Sequence, residues 1–113
     1  MHKIYATPFN DVYVLYQAKV ARKDQPVENV DVVIRWLTGY SDAALKKHLK
    51  NGTNFRDFFD GATINPLAEL ITGKICGVTI QEIEDPLMKN IRYLDKLVDE
   101  VSKGRAMEKV LRK

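Results

Sequence analysis

One cysteine, two histidines and no long apolar run leave this 113-residue sequence short of the raw materials for several chemistries. With Cys76 alone, no intrachain disulfide forms and no cysteine-rich zinc site assembles. Cys76 lies in the apolar run Ile75-Cys76-Gly77-Val78. That setting reads as a buried, inert core thiol, because a reactive one needs an electropositive and partly open environment. No window approaches the roughly 18 apolar residues of a membrane span, and Met1-His2-Lys3-Ile4-Tyr5 offers no signal-peptide core. The expectation is a cytoplasmic chain that does not enter a membrane. His2 and His48 are far apart, and His48, among lysines beside Leu49, reads as a solvated or half-buried helix residue, so no metal site is expected. No glycine-rich phosphate loop follows a strand, and no Ser/His/Asp order stands in motif context. No catalytic residue, metal ligand or cofactor is assigned.

Hydrophobic residues make up 45% of the chain, enough for one core, so residues 1–113 read as one helical domain. Charged residues, 29% of the total, are mixed in sign, which excludes an extended acidic or basic tract and argues against disorder. The net charge of +3 is concentrated at the end: over about 103–113, Lys103, Arg105, Lys109, Arg112 and Lys113 face only Glu108.

Punctuation then cuts the chain into helices. After an extended arm ending at Thr7-Pro8, Val12, Tyr13, Tyr16 and Val20 fall on one side of a helix that Asn10 caps. Pro26 suits the first position of a second helix, whose Val30, Val33, Ile34 and Leu37 recur at three and four before Gly39 stops it in a left-handed conformation. Ser41 caps a third helix, with Leu45 and Leu49 inward and Lys46, Lys47 and Lys50 outward, ended by Asn51-Gly52. Phe55, Phe58 and Phe59 form an aromatic plug. Asn65-Pro66 opens a helix through Leu67, Leu70 and Ile71 that ends at Gly73. Residues 74–79 form a tight loop or a short extended segment, and Ile80 with Ile83 gives one helical turn.

Asp85-Pro86 begins the clearest element, a helix over 86–102. Its Leu87, Ile91, Leu94, Val98 and Val101 step by four and three, with Asp85–Lys89 and Lys96–Glu100 as i,i+4 pairs. The stripe covers little more than two heptads and is widened by Met88 and Leu97, so it predicts burial inside the domain; any homo-oligomer uses another surface. Gly104 breaks the chain before a short final helix carrying Met107, Val110 and Leu111. The fold class is all-α: a compact bundle of about five to seven helices.

Ile34-Arg35-Trp36-Leu37-Thr38-Gly39-Tyr40-Ser41, and Glu82-Ile83-Glu84-Asp85-Pro86-Leu87-Met88 with Ile91-Arg92-Tyr93-Leu94-Asp95-Lys96-Leu97-Val98-Asp99-Glu100, resemble a bacterial family labelled as a domain of unknown function. The resemblance runs from Ile4-Tyr5 to Met107-Glu108-Lys109 and implies no activity, cofactor or catalytic residue.

Candidate binding residues are Arg35, Trp36 and Tyr40 at one helix end with Arg92, Tyr93 and Asp95 on another, because arginine and aromatic side chains are enriched at binding hot spots. The favoured reading, however, is structural: Trp36, Tyr40 and Tyr93 as core-edge rings whose polar tips reach water, and Arg35 and Arg92 as ion-pair partners of Asp95 or Asp99. Asp85 joins Glu82 and Glu84 in a carboxylate cluster, but it also reads as a helix cap. The function that follows is a small module binding an unknown protein or small molecule. Nucleic acid is the alternative partner, through the helix-turn-helix-like segment 33–50 and the basic tail. It is disfavoured because the body lacks a strong basic excess.

Overall fold

In the computed structural model, which describes residues 3–113, Asp85 accepts a hydrogen bond from the Leu87 amide at 3.0 Å and Pro86 takes the first helical position. The helix so started, α5 (Pro86–Ser102), buries Ile91, Tyr93, Leu94, Leu97, Val98 and Val101. Around it lie α1 (Phe9–Arg22), α2 (Glu28–Thr38), α3 (Asp42–Asn51), α4 (Phe55–Asp60) and α6 (Met107–Val110). Three 3-10 turns, Lys3–Ala6, Pro66–Leu70 and Ile80–Glu82, fill the gaps, and the strands β1 (Lys74–Ile75) and β2 (Val78–Thr79) pair antiparallel. The expected all-α bundle with one short extended segment is therefore what forms. Both α1 and α2 pack along α5, so its apolar stripe is spent inside the chain.

The C-terminal end of α2 shows why the next segments lie where they do. Gly39 adopts φ +73°, and its amide donates to the Arg35 carbonyl at 2.9 Å. The Thr38 and Leu37 carbonyls, which have no partner within the helix, accept from the amides of Thr63 and Asn65 at 2.8 and 2.9 Å. The 63–65 segment is thus laid across the helix end. Ser41 and Asn54 cap α3 and α4 through the Ala44 and Asp57 amides. The plug closes against the N-terminus: Phe9 stacks on Phe58 with centroids 4.0 Å apart and meets Phe55 edge-on, while backbone hydrogen bonds join Phe9 to Thr53 and Phe55 to Thr7.

Several expectations are corrected. Lys3–Ala6 is a 3-10 turn rather than an extended arm, and Pro8, not Asn10, precedes α1, which begins at Phe9 without a side-chain cap. Helix α2 starts at Glu28, two residues after Pro26, whose carbonyl accepts from the Asn29 amide in a preliminary tight turn. Pro66–Leu70 winds as a 3-10 turn, leaving Leu67 and Leu70 exposed while Ala68 and Ile71 go inward. Cys76 is exposed, not core. It sits at the tip of the β1–β2 hairpin beside Gly77, both at positive φ (+53° and +76°), the backbone that a two-residue hairpin turn requires, and a turn tip points away from a core. His2 lies outside the described residues.

The two i,i+4 pairs expected on α5 do not form, because better partners come from distant parts of the chain. Asp85 accepts from the Tyr5 hydroxyl, and Lys96 Nζ donates to the Lys74 carbonyl at 3.2 Å. Glu100, nearly buried, is held by Arg112 through paired bonds of 2.5 and 2.9 Å and by Arg105 at 2.9 Å. The chain reaches this arrangement by turning at Gly104 (φ +78°) and burying Val110 from α6.

Two stability predictions come from these contacts. A Cβ on Gly39 would stand 3.1 Å from the Thr63 carbonyl oxygen on a backbone that β-branched residues avoid, so Gly39→Val is expected to cost more than about 1 kcal/mol. An unchanged melting temperature would show that the turn is not made there. Arg112→Ala leaves the Glu100 carboxylate with one of its two cationic partners; chemical denaturation is expected to report a loss of roughly 2 to 3 kcal/mol. Replacing both residues by apolar ones of similar volume (Arg112→Met with Glu100→Leu) should recover much of it. A loss below about 0.5 kcal/mol for Arg112→Ala would mean that the tail is not clamped.

Candidate functional site

The candidate residues are distributed over two regions. Arg35 pairs with Asp42 at 3.1 Å, on a surface where both side chains are more than a third exposed. Trp36 is half-buried, and its carbonyl accepts from the Asn65 side chain at 3.3 Å. The Tyr40 hydroxyl donates to the Phe58 carbonyl at 2.6 Å, and its ring leans on Phe58 and His48. This group therefore faces α3 and α4. On α5, Arg92 and Asp95, one turn apart, pair at 3.0 Å, and Asp95 also accepts from the Tyr16 hydroxyl of α1 at 2.5 Å. Burial pushes the Tyr16 phenol well above its ordinary range, and the Asp95 charge pushes it further, so Tyr16 remains a donor. Asp85 is committed twice, as the cap of α5 and as the acceptor for Tyr5. Six of the seven residues thus have intramolecular partners.

Tyr93 is different. It is 6% exposed, its hydroxyl has no hydrogen-bond partner among the described residues, and it lines two adjoining cavities of about 160 and 330 Å³. Both cavities are also lined by Glu69, from the 3-10 turn after Asn65-Pro66, and by Lys89, one turn before Tyr93 on α5. Together they form a groove between residues 64–71 and the first half of α5. The local sequence builds its walls: Asn65 caps the 3-10 turn through the Leu67 amide, while Pro86, Lys89, Asn90 and Tyr93 share one helical face. Glu69 and Lys89 form no ion pair with each other or with any other described residue. Burial, and then the charge of Glu69, raises the Tyr93 pKa and keeps the phenol protonated. The groove thus presents an acceptor anion, a donor cation and a hydroxyl, none of them already engaged.

Sequence reasoning named Tyr93 and missed Glu69 and Lys89. Lys89 had a readable signal, its i,i+4 spacing to Tyr93. Glu69 had none, since its position depends on how the 3-10 turn lies across α5. Among the described residues no group of three His, Cys, Asp or Glu side chains converges to hold a metal ion, and no helix is long and apolar enough to cross a membrane.

Residues 3–112 match the model of a family described as an uncharacterized protein conserved in bacteria (DUF2200). The crystal structure of uncharacterized protein SP1917 is similar to the chain at 46% identity and a TM-score of 0.92, covering 98% of this chain and 93% of that one. No curated protein matches the chain.

The carboxylates outside the groove carry a pH dependence. The Tyr5 hydroxyl, aided by the Leu87 and Met88 amides, holds the Asp85 carboxyl below its ordinary range. Burial pulls Asp99 upward, but hydrogen bonds from Lys103 and Lys19 outweigh it and leave its pKa lowered. A carboxyl depressed in the folded state stabilises fully above its unfolded pKa, about 3.9, and loses that contribution as pH falls through the folded value. Melting temperature is therefore expected to hold above about pH 5 and to fall below about pH 4. Tyr5→Phe removes part of the depression, so its deficit against the parent should be largest at neutral pH and shrink in acid. A deficit independent of pH would mean that Tyr5 stabilises by packing alone.

Proposed function

The chain belongs to the DUF2200 family, and we propose that it is a small-ligand-binding module whose site is the Glu69–Lys89–Tyr93 groove. The observation that carries this is the unengaged Tyr93 hydroxyl, at a position where the rest of the side chain is buried, flanked by opposite charges that pair with nothing. The hydroxyl opens to solvent in the groove, so a ligand gains by replacing water there with a directed hydrogen bond beside two available charges. The cavities are at the low end of the size range for small-molecule sites, which favours a compact ligand over a nucleotide or a large cofactor. An amino-acid-like molecule has the matching chemistry: its ammonium faces Glu69, its carboxylate faces Lys89, and the phenol donates to the same carboxylate. The proposal places the protein in the cytoplasm, where the exposed, unpaired thiol of Cys76 is compatible with a reducing environment.

The alternative, nucleic-acid binding through 33–50 and the tail, draws less support. Of the five basic residues after Ser102, Lys103, Arg105 and Arg112 are engaged with Asp99 and Glu100, and Lys46 of α3 is engaged with Asp42. Few cations are left to neutralise phosphates.

Titrating the isotopically labelled protein with each free amino acid and a set of dipeptides, read by amide chemical shifts, tests the proposal. At least one compound is expected to move the signals of residues 64–71 and 86–93 in a saturable way. Lys89→Met should weaken that compound by roughly tenfold, the loss of one charged hydrogen bond. If no compound moved those signals, or if Lys89→Met and Tyr93→Phe bound as well as the parent, the groove would not be the site.

A further inference from the structure

The outward face of α1 carries the most exposed large apolar side chain, Leu15 at 63%, with Val14 at 49% beside it. Ala18 and Ala21 continue the exposed strip, and Asp11 and Arg22 close its two ends. On a helix the steps 11, 15, 18 and 22 lie in one narrow row, the spacing of a two-helix seam. Asp11 and Arg22 have no side-chain partner among the described residues, although most acidic and basic side chains around α5 are engaged. An apolar centre with one unpaired charge of each sign at its ends is self-complementary under a two-fold axis perpendicular to the helix, which makes the pair antiparallel, and not under one along the helix, which makes it parallel.

We infer that the chain forms a two-fold symmetric homodimer in which α1 packs antiparallel against α1 of a second copy. With the axis passing between Leu15 and Ala18, Asp11 of each copy meets Arg22 of the other, and each Leu15 lies over the small Ala18 opposite. A parallel pair would set Asp11 against Asp11 and Arg22 against Arg22, which like-charge repulsion disfavours. A single helix of 14 residues, roughly 21 Å long, covers less surface than a standard stable interface, so the dimer is expected at micromolar concentrations or above rather than as an obligate unit. The groove is built from residues 64–71 and α5 and does not include α1, so this assembly does not depend on the ligand reading.

Sedimentation equilibrium of the full chain, from micromolar to millimolar concentration at low salt, is expected to show a mass rising from monomer toward dimer. Leu15→Lys should hold the mass at monomer with unchanged circular dichroism. Asp11→Arg and Arg22→Asp should each weaken association by roughly tenfold or more, since each sets two like charges across the axis. The double reversal should restore it, because every cross-axis pair is opposite again. A parent that stays monomeric at millimolar concentration overturns the inference. So does a dimer indifferent to the single reversals, or a double reversal as weak as either single one.

Discussion

Helix α5 is wrapped by its neighbours, and its polar residues must find partners at the edge of that wrap. Its apolar side chains face α1, α2 and the hairpin, leaving a narrow margin in which Asp85, Asp95, Asp99 and Glu100 emerge. Each of these carboxylates is taken by a group from far along the chain: Tyr5 at Asp85, Tyr16 at Asp95, Lys19 at Asp99 and Arg112 at Glu100. Hydrophobic burial supplies the larger share of the stabilisation but is non-directional. Asp95, Asp99 and Glu100, whose side chains are mostly buried, fix where along α5 their partner segments dock, because such a charge tolerates few alternative partners, while the exposed Asp85 ties down the N-terminal turn at the helix start. The N-terminal turn, α1 and the tail are therefore set in register by one helix.

The helices legible from sequence are those whose ends carry their own chemistry. Asp85-Pro86 and Ser41 each supply a cap within two or three residues of the amide it satisfies, and Gly39, Gly52 and Gly104 turn where they stand. Local signals of this kind survive without knowledge of the fold. Errors cluster where a distant contact overrides the local one. Thr7 and Pro8 are tied to the segment before α4, so the arm tightens and α1 starts without a cap. Ile75, Cys76 and Val78 share apolar character, but the pair of positive φ values at 76 and 77 makes a hairpin, and the cysteine goes to its tip.

The groove divides in the same way. Lys89 and Tyr93 are one turn apart on a helix whose limits the sequence states clearly, so their common face was accessible to inspection. Their relation to Glu69 depends on a 3-10 turn held by Asn65, whose side chain reaches both the Leu67 amide and the Trp36 carbonyl. An α-helix at 66–71, the sequence expectation, would direct Glu69 differently, since side chains of a 3-10 turn repeat every three residues. Trp36 thus bears on the groove through its backbone rather than its ring.

Net charge is a poor guide to this surface, and the reason is specific. The basic excess after Ser102 looks in the sequence like an electrostatic footprint, yet Arg112 is 12% exposed at its side chain and forms a fork with Glu100, so its charge is spent in holding the tail to α5. What distinguishes a charge available for recognition is the absence of an internal partner, and that property belongs to the arrangement rather than to the residue. By that measure Arg35, Arg92, Arg105 and Arg112 are structural, whereas Lys89, Glu69, Asp11 and Arg22 remain available. Two of these four flank a groove and two close an apolar strip, and it is this neighbourhood, where a partner would bury apolar area as well, that sets them apart from the other solvated charges.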